Sequence, residues 1–376
     1  MCPLGPRLNV LALLGLAVRN RAGWRRPQKG YRMNILVTGI SGRVGANIAK
    51  HFLGKGHRVR GLVWPGDRQS DKLREVGAEI VEGDLKVLAD VKRACEGQEV
   101  ILHLGAAFQA GGPFSPEQYF DTNIKGVFNI CEASLGLADK LRHMIFTSTD
   151  ATLSKYPADG LKDPVITETN LPQDQTDWYA FSKIEGEHLV SRYVRAHQLK
   201  ATVIRFANVW GAGEVLEFRQ FFLSHWLKTF EGRKDPEGAA TYQSVKKLDD
   251  GSERLLIACD KNGRPWRKHA IEVRDIVHAY DRAVGNENTH GKVYQIASRS
   301  PFSWDEAVPV LAKYLDLPYS KANLAGVPPT YYEYDLSPAK RDFGYNPANS
   351  FRDMVEEAAR FKREGGGDII PTKVGR

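Results

Sequence analysis

Short apolar segments alternate with helical segments between residue 34 and about residue 210, and this alternation restricts the fold more than any other feature. Six apolar runs have the length and composition of strands, and segments of helical periodicity separate them. Parallel neighbours need such crossover connections, so the pattern predicts a doubly wound parallel sheet with helices on both faces. The predicted strands are residues 34–39, 58–63, 79–85, 99–107, 143–149 and 201–210.

A glycine triplet connects the first predicted strand to the first predicted helix, in the segment VTGISGRVG. Glycines at this spacing allow a tight turn and a close approach of the backbone to a pyrophosphate, which then lies at the N-terminus of the helix. The sequence therefore predicts a dinucleotide site, and a plain tight turn with close helix packing is the alternative. The expected cofactor contacts in this segment are Gly39, Ser41, Gly42, Arg43 and Val44.

The tip of the second predicted strand lacks the acidic residue that binds the ribose hydroxyls of NAD in many such sites. Arg68, and more distantly Arg60, could contact a 2′-phosphate, whereas Asp67 could serve NAD if its loop curls back. Solvated loop charge explains each of these residues equally well. The predicted cofactor is therefore NAD or NADP, with a slight preference for NADP.

The alternation of strands and helices weakens after Gly211, and residues 231–268 look polar and irregular. One more strand is predicted at residues 292–298, among several helices. We expect a Rossmann-type NAD(P)-binding domain over residues 33–211 and a smaller substrate-binding lobe over residues 212–362 that interleaves with the sheet. Residues 363–376 are expected to form a flexible tail.

The formal net charge of +8 comes mostly from residues 1–32, which hold seven Lys or Arg and no acid, so the rest of the chain carries about +1. This near-neutral body gives no reason to expect nucleic-acid binding. In the leader an apolar run precedes a basic run, the reverse of a secretory signal. A transit peptide or a membrane-surface anchor is an alternative to a disordered, non-native extension before Met33. No apolar run is long enough to span a bilayer, so stable membrane association is not expected.

The four cysteines, Cys2, Cys95, Cys131 and Cys259, are widely spaced and form no C-x-x-C pair. Neither a disulfide framework nor a zinc site is therefore expected, and no other metal site is predicted. This cysteine usage is typical of a reducing, cytoplasmic setting.

Tyr179 and Lys183 lie four residues apart in YAFSK, so they share one face of a predicted helix. A lysine ammonium beside a phenol favours the phenolate, which suits proton exchange with a substrate hydroxyl. The Tyr-x-x-x-Lys spacing is common by chance. It gains meaning here because Tyr179 follows thirty residues after Thr149, at the end of the fifth predicted strand.

Together these motifs resemble the extended short-chain dehydrogenase/reductase family, in its NAD-dependent epimerase/dehydratase branch. The resemblance runs from about Met33 to Arg360 and indicates the family more specifically than the substrate. It is carried by TGISGRVG, GDL, HLGAA, TNIKGVFN, TSTD, YAFSK, IRFANVWG, VRDIVHAY and DLSPAKRDFGYNP.

The resemblance implies a role for each matching position. Tyr179 would be the general acid/base, Lys183 would hold the nicotinamide ribose and tune Tyr179, and Thr149 would hydrogen-bond the reacting oxygen. Asn123 would help to order the active site, with helix packing an equal alternative. Ser148 would support Thr149.

Further positions are assigned to the cofactor or the substrate. Asp84 would accept a hydrogen bond from an adenine amine, or only cap its own loop, and His103 is expected to be structural. The additional cofactor contacts are Asp84, Leu85, Leu104, Gly105 and Ala106, and the substrate contacts are Phe108, Thr149, Asp150 and Asn208.

Asp150 and Ala151 restrict the chemistry. Family dehydratases resemble S-T-D-E at this place, where the Asp acts as an acid and the Glu as a base. Ala151 stands where that Glu would be, so elimination of water has no evident base. Asp150 would then position substrate or cap the loop.

The sequence therefore predicts an NAD(P)-dependent oxidoreductase or epimerase that acts on a secondary alcohol or ketone of a small molecule, with a sugar or nucleotide-sugar preferred. A simple NADP-dependent carbonyl reductase or alcohol dehydrogenase on a non-sugar substrate is the alternative. A non-catalytic dinucleotide sensor is disfavoured because Thr149, Tyr179 and Lys183 are all present. Segments Glu117–Leu135 and Trp178–Tyr193 match the helices that this family uses for dimerisation, so a homodimer is expected.

Overall fold

Seven parallel strands form one central sheet, in the order β12-β7-β5-β4-β1-β2-β3, in a computed structural model that describes residues 31–108, 114–155, 165–365 and 367–372. This confirms the predicted doubly wound parallel sheet. The strands of the described residues are β1 (Asn34–Thr38), β2 (Arg58–Val63), β3 (Glu79–Glu82), β4 (Val100–His103), β5 (His143–Thr149), β6 (Val165–Ile166), β7 (Ala201–Phe206), β8 (Asn208–Trp210), β9 (Leu255–Cys259), β10 (Arg267–Lys268), β11 (Ala270–Glu272), β12 (Val293–Ile296), β13 (Phe302–Ser303), β14 (Tyr319–Asn323) and β15 (Glu333–Tyr334).

Helices connect these strands and cover both faces of the sheet. They are α1 (Arg43–Gly54), α2 (Asp71–Glu75), α3 (Leu88–Cys95), α4 (Pro116–Tyr119), α5 (Gly126–Leu135), α6 (Trp178–His197), α7 (Leu223–Phe230), α8 (Pro236–Lys246), α9 (Val273–Ala283), α10 (Trp304–Leu315), α11 (Ser337–Phe343) and α12 (Phe351–Glu364). A π-helical segment, Phe120–Lys125, joins α4 to α5.

The seventh strand of the sheet comes from the C-terminal half of the chain. β12 pairs in parallel with β7, with Val293 opposite Val203 and Ile296 opposite Phe206. The two halves therefore share one sheet, and from Arg32 onward the described residues form a single compact unit. Residues from both sides of Gly211 contribute to one hydrophobic core, among them Ile35 and Tyr294.

Each face of the sheet buries its own apolar layer. One layer includes residues of α1 and α9, and the layer on the other face includes residues of α3, α5 and α6. A third core lies among α7, α10 and α12 and contains the buried side chains of Trp226, Trp266 and Trp304, whose rings meet edge to face.

Part of the region expected to be irregular, residues 231–268, is helical and extended. Asp235 accepts a hydrogen bond from the Gly238 amide at 2.9 Å, and Pro236 occupies the first turn, so the segment has the start signals of a helix. The polar composition of α8 obscured these signals. β9, which follows α8, pairs in parallel with β14. After β9 the chain turns back on itself, so that Cys259 bridges Pro265 antiparallel and the Trp266 amide donates to the Ala258 carbonyl at 2.9 Å.

The tail expected to be flexible over residues 363–376 is held against α1 over much of its described part. α12 continues to Glu364, and Asn47 exchanges two hydrogen bonds with the backbone of Ile370, at 2.7 and 2.9 Å. Lys72 donates to the carbonyls of Pro371 and Thr372. The segment therefore packs on the cofactor-binding half of the molecule.

The leader predicted at residues 1–32 lies almost entirely outside the described residues. Within the described ranges, no helix combines the length and the hydrophobicity needed to cross a bilayer. The three described cysteines, Cys95, Cys131 and Cys259, are buried and free.

Replacing Asn47 with alanine should lower the free energy of unfolding by about 1–3 kcal/mol, because the buried amide also donates to the Arg43 carbonyl and three hydrogen bonds are lost. Urea titration followed by circular dichroism measures the change. Lys50→Ala is the matched control: its exposed ammonium donates to the Asp368 carbonyl, and its loss should change stability by less than about 0.5 kcal/mol. Equal effects of the two substitutions would contradict this account of the tail.

Candidate active site

The carboxyl ends of the central strands bring the predicted site residues to one edge of the sheet. β5 lies between β4 and β7, with His103 opposite Phe146 and Thr149 opposite Phe206. Ligands of open α/β sheets bind at this edge, where the order of the strands reverses. Here the reversal lies between β1 and β4.

The glycine turn after β1 leaves no room for side chains. Gly39 has φ of +64°, and a Cβ added there would lie 2.7 Å from the Gly105 amide nitrogen. A Cβ at Gly45 would lie 2.3 Å from the Gly39 carbonyl oxygen. The turn therefore requires glycine for close packing as well as for its backbone conformation.

The N-terminus of α1 fits a pyrophosphate. Gly42 is its N-cap residue, in an extended conformation. Among the described residues, no side chain caps the first amides of α1, and its first turn contains no acid. Free amides at a helix N-terminus bind phosphate well. Ser41 is half-buried in the turn, whereas Val44 packs against the core.

Thr38 fastens the end of β1 to the end of β4, a contact that the sequence did not suggest. Its hydroxyl accepts a hydrogen bond from the Gly105 amide at 3.0 Å and lies 2.7 Å from Nδ1 of His103. Burial lowers the pKa of His103 to about 3, and the nearby Lys183 ammonium contributes to the decrease. His103 is therefore neutral and structural, in agreement with the role expected for it.

The charged residues near the glycine turn and β2 are largely engaged with protein partners. Arg43 pairs with Glu214 at 2.8 Å and donates to the Val209 carbonyl, so protein groups already hold its guanidinium. Arg60 donates to the carbonyls of Ala94 and Glu96.

The loop after β2 is held by its own aspartate. Asp67 accepts from the Gln69 amide at 2.9 Å, which caps a short 3₁₀ helix, Arg68–Ser70. Arg68 itself is exposed. Its contact with a cofactor phosphate stays a prediction.

Asp84 caps the loop that follows β3. Its carboxylate accepts from the Lys86 amide at 2.9 Å, and its own amide donates to Asp90 at 3.0 Å. This geometry matches the loop-capping alternative, and an adenine contact stays a prediction.

Leu85 reaches Gly105, since a Cβ added to that glycine would lie 2.9 Å from Cδ1 of Leu85. In the loop after β4, Leu104 packs against the core and Ala106 is half-buried.

The Thr149 side chain lies close enough to Tyr179 to lower the pKa of its phenol, and Lys183 lies one turn further along α6. Tyr179 is 8% exposed and Lys183 is 4% exposed. The Lys183 ammonium lies over the Phe146 ring, 4.4 Å from its centroid. The structure thus brings together the three residues that the sequence assigned to proton transfer.

The buried setting shifts both titratable groups of this site away from the charged form. Burial raises the pKa of Tyr179 above its ordinary value, the nearby Thr149 hydroxyl opposes that increase, and the negative charge of Asp150 adds to it. Burial lowers the pKa of Lys183 to about 7, and the carboxylate of Glu187 opposes that decrease. Lys183 is therefore poised to change protonation state near neutral pH.

Asn123 connects the loop after β4 to α6. Its amide group exchanges two hydrogen bonds with the backbone of Ala107, at 2.7 and 3.0 Å, and donates to the Ser182 hydroxyl at 2.8 Å. Ser182 donates in turn to the Tyr179 carbonyl. Asn123 lies in the π-helical segment, a distortion that often marks functional positions.

Asp150 lies in a buried polar cluster that joins the two lobes. Its carboxylate accepts from the Tyr334 hydroxyl and pairs with Lys155, each at 2.5 Å. Lys268 is also buried, and burial together with the positive charge of Lys155 lowers its pKa to about 7. Asp150 therefore does more than cap its loop, and sequence spacing gave no signal for Lys155 or Tyr334 as its partners.

The remaining substrate candidates occupy different surroundings. Phe108 is exposed and meets Tyr179 edge to face, with ring centroids 5.4 Å apart. Ala151 packs against the small cluster around Tyr119 and Tyr179. Asn208 begins β8, which pairs in parallel with β11, and is half-buried. Its contact with substrate stays a prediction.

Within the described part of the chain, no group of three His, Cys, Asp or Glu side chains is arranged to hold a metal ion.

Residues 35–297 match the NAD dependent epimerase/dehydratase family. A UDP-glucose 4-epimerase from Streptomyces lividans is 26% identical over 337 residues, covering 86% of this chain and 94% of that protein. A probable UDP-glucuronate 4-epimerase from Rhizobium meliloti (strain 1021) is 31% identical over 298 residues, covering 69% of this chain and 84% of that protein.

A solved structure gives the same result. The crystal structure of a short-chain dehydrogenase/reductase superfamily protein from Agrobacterium tumefaciens, with bound NAD, superposes with a TM-score of 0.73 at 25% identity and covers 88% of this chain and 98% of that one. The family match spans well over half of the chain and includes the glycine turn, Thr149 and the Tyr179–Lys183 pair. The chain therefore belongs to the NAD-dependent epimerase/dehydratase family and is an NAD-dependent enzyme of the extended short-chain dehydrogenase/reductase type, as its motifs predicted.

Proposed function

We propose that this protein moves a hydride at a secondary alcohol or ketone of a nucleotide-sugar, with Tyr179 as the general acid/base. The observation that carries the proposal is the burial of Tyr179 close to Thr149 and one helical turn from Lys183, in a chain whose α1 N-terminus has no side-chain cap. When bound, the nicotinamide accepts the hydride and returns it.

The residues of the chain supply the proton chemistry and the orientation. The Tyr179 hydroxyl exchanges a proton with the substrate oxygen, and the Thr149 hydroxyl holds that oxygen in line. The charge of Lys183 favours the phenolate and holds the cofactor ribose. Asn123 fixes the start of α6 through Ser182 and the Tyr179 carbonyl, so the phenol keeps its position.

A nucleotide-sugar substrate is supported by the relatives named above and by one basic side chain of the substrate lobe. Five basic residues there have the charge needed to contact a diphosphate: Lys246, Lys247, Arg264, Arg267 and Lys268. Lys246 pairs with Asp249 in solvent, and Arg264 stacks on the Tyr331 ring. Lys268 is the buried member of the set, beside the Asp150 cluster.

Elimination of water is disfavoured at this site. Ala151 occupies the place where a dehydratase would carry its base, and it packs on apolar groups beside Tyr179. Asp150 is paired with Lys155 and cannot take over that role without losing the pair. Hydride transfer, with or without inversion of the carbon, is the chemistry that remains.

Support for NAD as the cofactor comes from the family and from the NAD-bound Agrobacterium tumefaciens protein. The preference for NADP depended on Arg68 and Arg60, and the guanidinium of Arg60 already donates to the carbonyls of Ala94 and Glu96. We therefore place NAD ahead of NADP. A cytoplasmic location is proposed because the described cysteines are free.

Tyr179→Phe should lower kcat on UDP-glucose or UDP-glucuronate by about 100-fold or more, because the proton has no acceptor, while NADH binding changes little. Steady-state assays and NADH fluorescence titration measure the two quantities. Tyr193→Phe, on the same helix but bonded to Glu132, is the matched control and should retain activity. Full turnover by the Tyr179 variant would exclude the proposed role.

Denaturing the purified protein and identifying the released nucleotide separates an epimerase from a simple reductase. An epimerase regenerates its cofactor in each cycle, so about one NAD per chain is expected. An empty site that binds NADPH reversibly would instead favour the carbonyl reductase alternative.

We also propose a homodimer formed through α5, α6 and the adjoining π-helical segment. Four aromatic side chains on these elements are exposed, a patch typical of an interface: Phe120, Phe128, Trp178 and Phe181. Phe128→Glu should therefore give a monomer in sedimentation velocity. Tyr319→Glu, an exposed aromatic residue on β14, should leave the dimer intact. A monomeric unmodified protein at micromolar concentration would contradict the proposal.

A further inference from the structure

A buried ion pair lies beneath the catalytic face of α6. Glu187 accepts from Nε and Nη2 of Arg205 at 2.9 and 2.7 Å, in a bidentate arrangement. The same carboxylate accepts from the Ser148 hydroxyl at 2.5 Å and from the Gln173 amide at 2.9 Å. Both charged side chains are 5% exposed or less. Four donors therefore fix the Glu187 carboxylate in one orientation.

This carboxylate connects the elements that carry the proton-transfer residues. Glu187 follows Lys183 by one turn of α6 and Tyr179 by two turns. Ser148 immediately precedes Thr149 on β5, and Arg205 lies on the neighbouring strand β7, opposite Ser148. A rotation of α6 or a shift of β5 would break these hydrogen bonds. The network therefore constrains the position of Thr149 relative to Tyr179.

Lys183 needs a negative charge near it to remain an ammonium. It is buried, and the groups that face it are the neutral His103 from β4, the Phe146 ring from β5, and Tyr179 and Glu187 from its own helix. Beyond these residues lie the charges of two further groups, Asp150 after β5 and Arg205 on β7. Glu187 is the neighbour whose charge favours the protonated form of Lys183.

We propose that Glu187 is a positioning residue of the active site, which keeps Lys183 charged and holds Thr149 and Tyr179 in register. The inference rests on the proposed role of Lys183 in holding the cofactor ribose. Buried ion pairs contribute little net stability compared with apolar packing, so stability alone is a weak reason for this pair. Its location between Lys183 and Thr149 gives it a direct functional use.

The protonation chemistry of Lys183 determines the direction in which each substitution should move its pKa. The pKa of Lys183 is about 7 with the Glu187 charge in place, so the ammonium predominates below that pH. Removing the carboxylate lowers this pKa and leaves the Arg205 cation uncompensated, which lowers it further. Removing the Arg205 cation acts in the opposite direction. Cofactor binding that depends on the ammonium is lost as the pH rises through the pKa of Lys183.

The test is the pH dependence of NADH binding to protein from which copurified nucleotide has been removed, followed by fluorescence titration between about pH 5.5 and 9. Glu187→Gln is an almost isosteric change. The pH at which NADH binding is half lost (the midpoint) should fall by about one unit in this variant, so NADH binding above that pH should be about tenfold weaker. For Arg205→Gln the midpoint should move to higher pH. Circular dichroism monitors the fold of each variant.

A matched neutral control separates charge from packing. Gln173→Met removes one hydrogen bond to the same carboxylate without changing any charge, so its midpoint should equal that of the unmodified protein. If Glu187→Gln does not fold, the comparison of Arg205→Gln with the unmodified protein still tests the direction of the shift. Turnover is not required, so failure of the proposed sugar chemistry would not affect this measurement.

Two results would overturn the inference. One is a Glu187→Gln protein that binds NADH more weakly by the same factor at every pH, with an unchanged midpoint, because that is the behaviour of a structural contact. The other is a shift of the pH midpoint of NADH binding in the same direction for Glu187→Gln and Arg205→Gln. Opposite shifts from the two partners of one ion pair are expected only when the charge of Glu187 acts on Lys183.

Discussion

The pairing of β5 between β4 and β7 is the interaction on which the site depends. Parallel hydrogen bonding aligns the carboxyl ends of these strands, so Ser148 and Thr149 emerge beside the loop that follows His103. The helix that returns from this edge, α6, then carries Tyr179 and Lys183 back across β5. A shift of β5 by one residue would place Thr149 on the opposite face of the sheet, because successive side chains of a strand point to opposite faces.

Burial of charge is the second constraint, and the molecule satisfies it in two clusters near Tyr179. Glu187 and Arg205 lie beneath α6, whereas Asp150, Lys155 and Lys268 lie toward the substrate lobe. In each cluster a carboxylate accepts from several donors, which offsets the cost of removing it from water. The electrostatic environment of Tyr179 and Lys183 is set by these two groups of residues.

The fold and much of the site were predictable because they depend on local signals. Strand–helix alternation, the glycine turn and the Tyr179–Lys183 spacing each reflect interactions between residues close in sequence. The helix α8 was missed because its polar residues carry little periodicity, although Asp235 and Pro236 mark its start. The preference for NADP depended partly on Arg60, and sequence could not reveal that carbonyls more than thirty residues away already bind it.

The sequence by itself determined the doubly wound sheet, the dinucleotide turn and the choice of Thr149, Tyr179 and Lys183 as candidates for proton transfer, because periodicity, glycine spacing and helical spacing act over short distances. Only the tertiary structure decided which charges face those residues. Glu187 meets Ser148 and Arg205, and Asp150 meets Tyr334 from 184 residues away, through contacts between elements that no spacing rule relates. Burial then fixes the protonation of Lys183, because the cost of a buried ammonium depends on the neighbours that folding brings together.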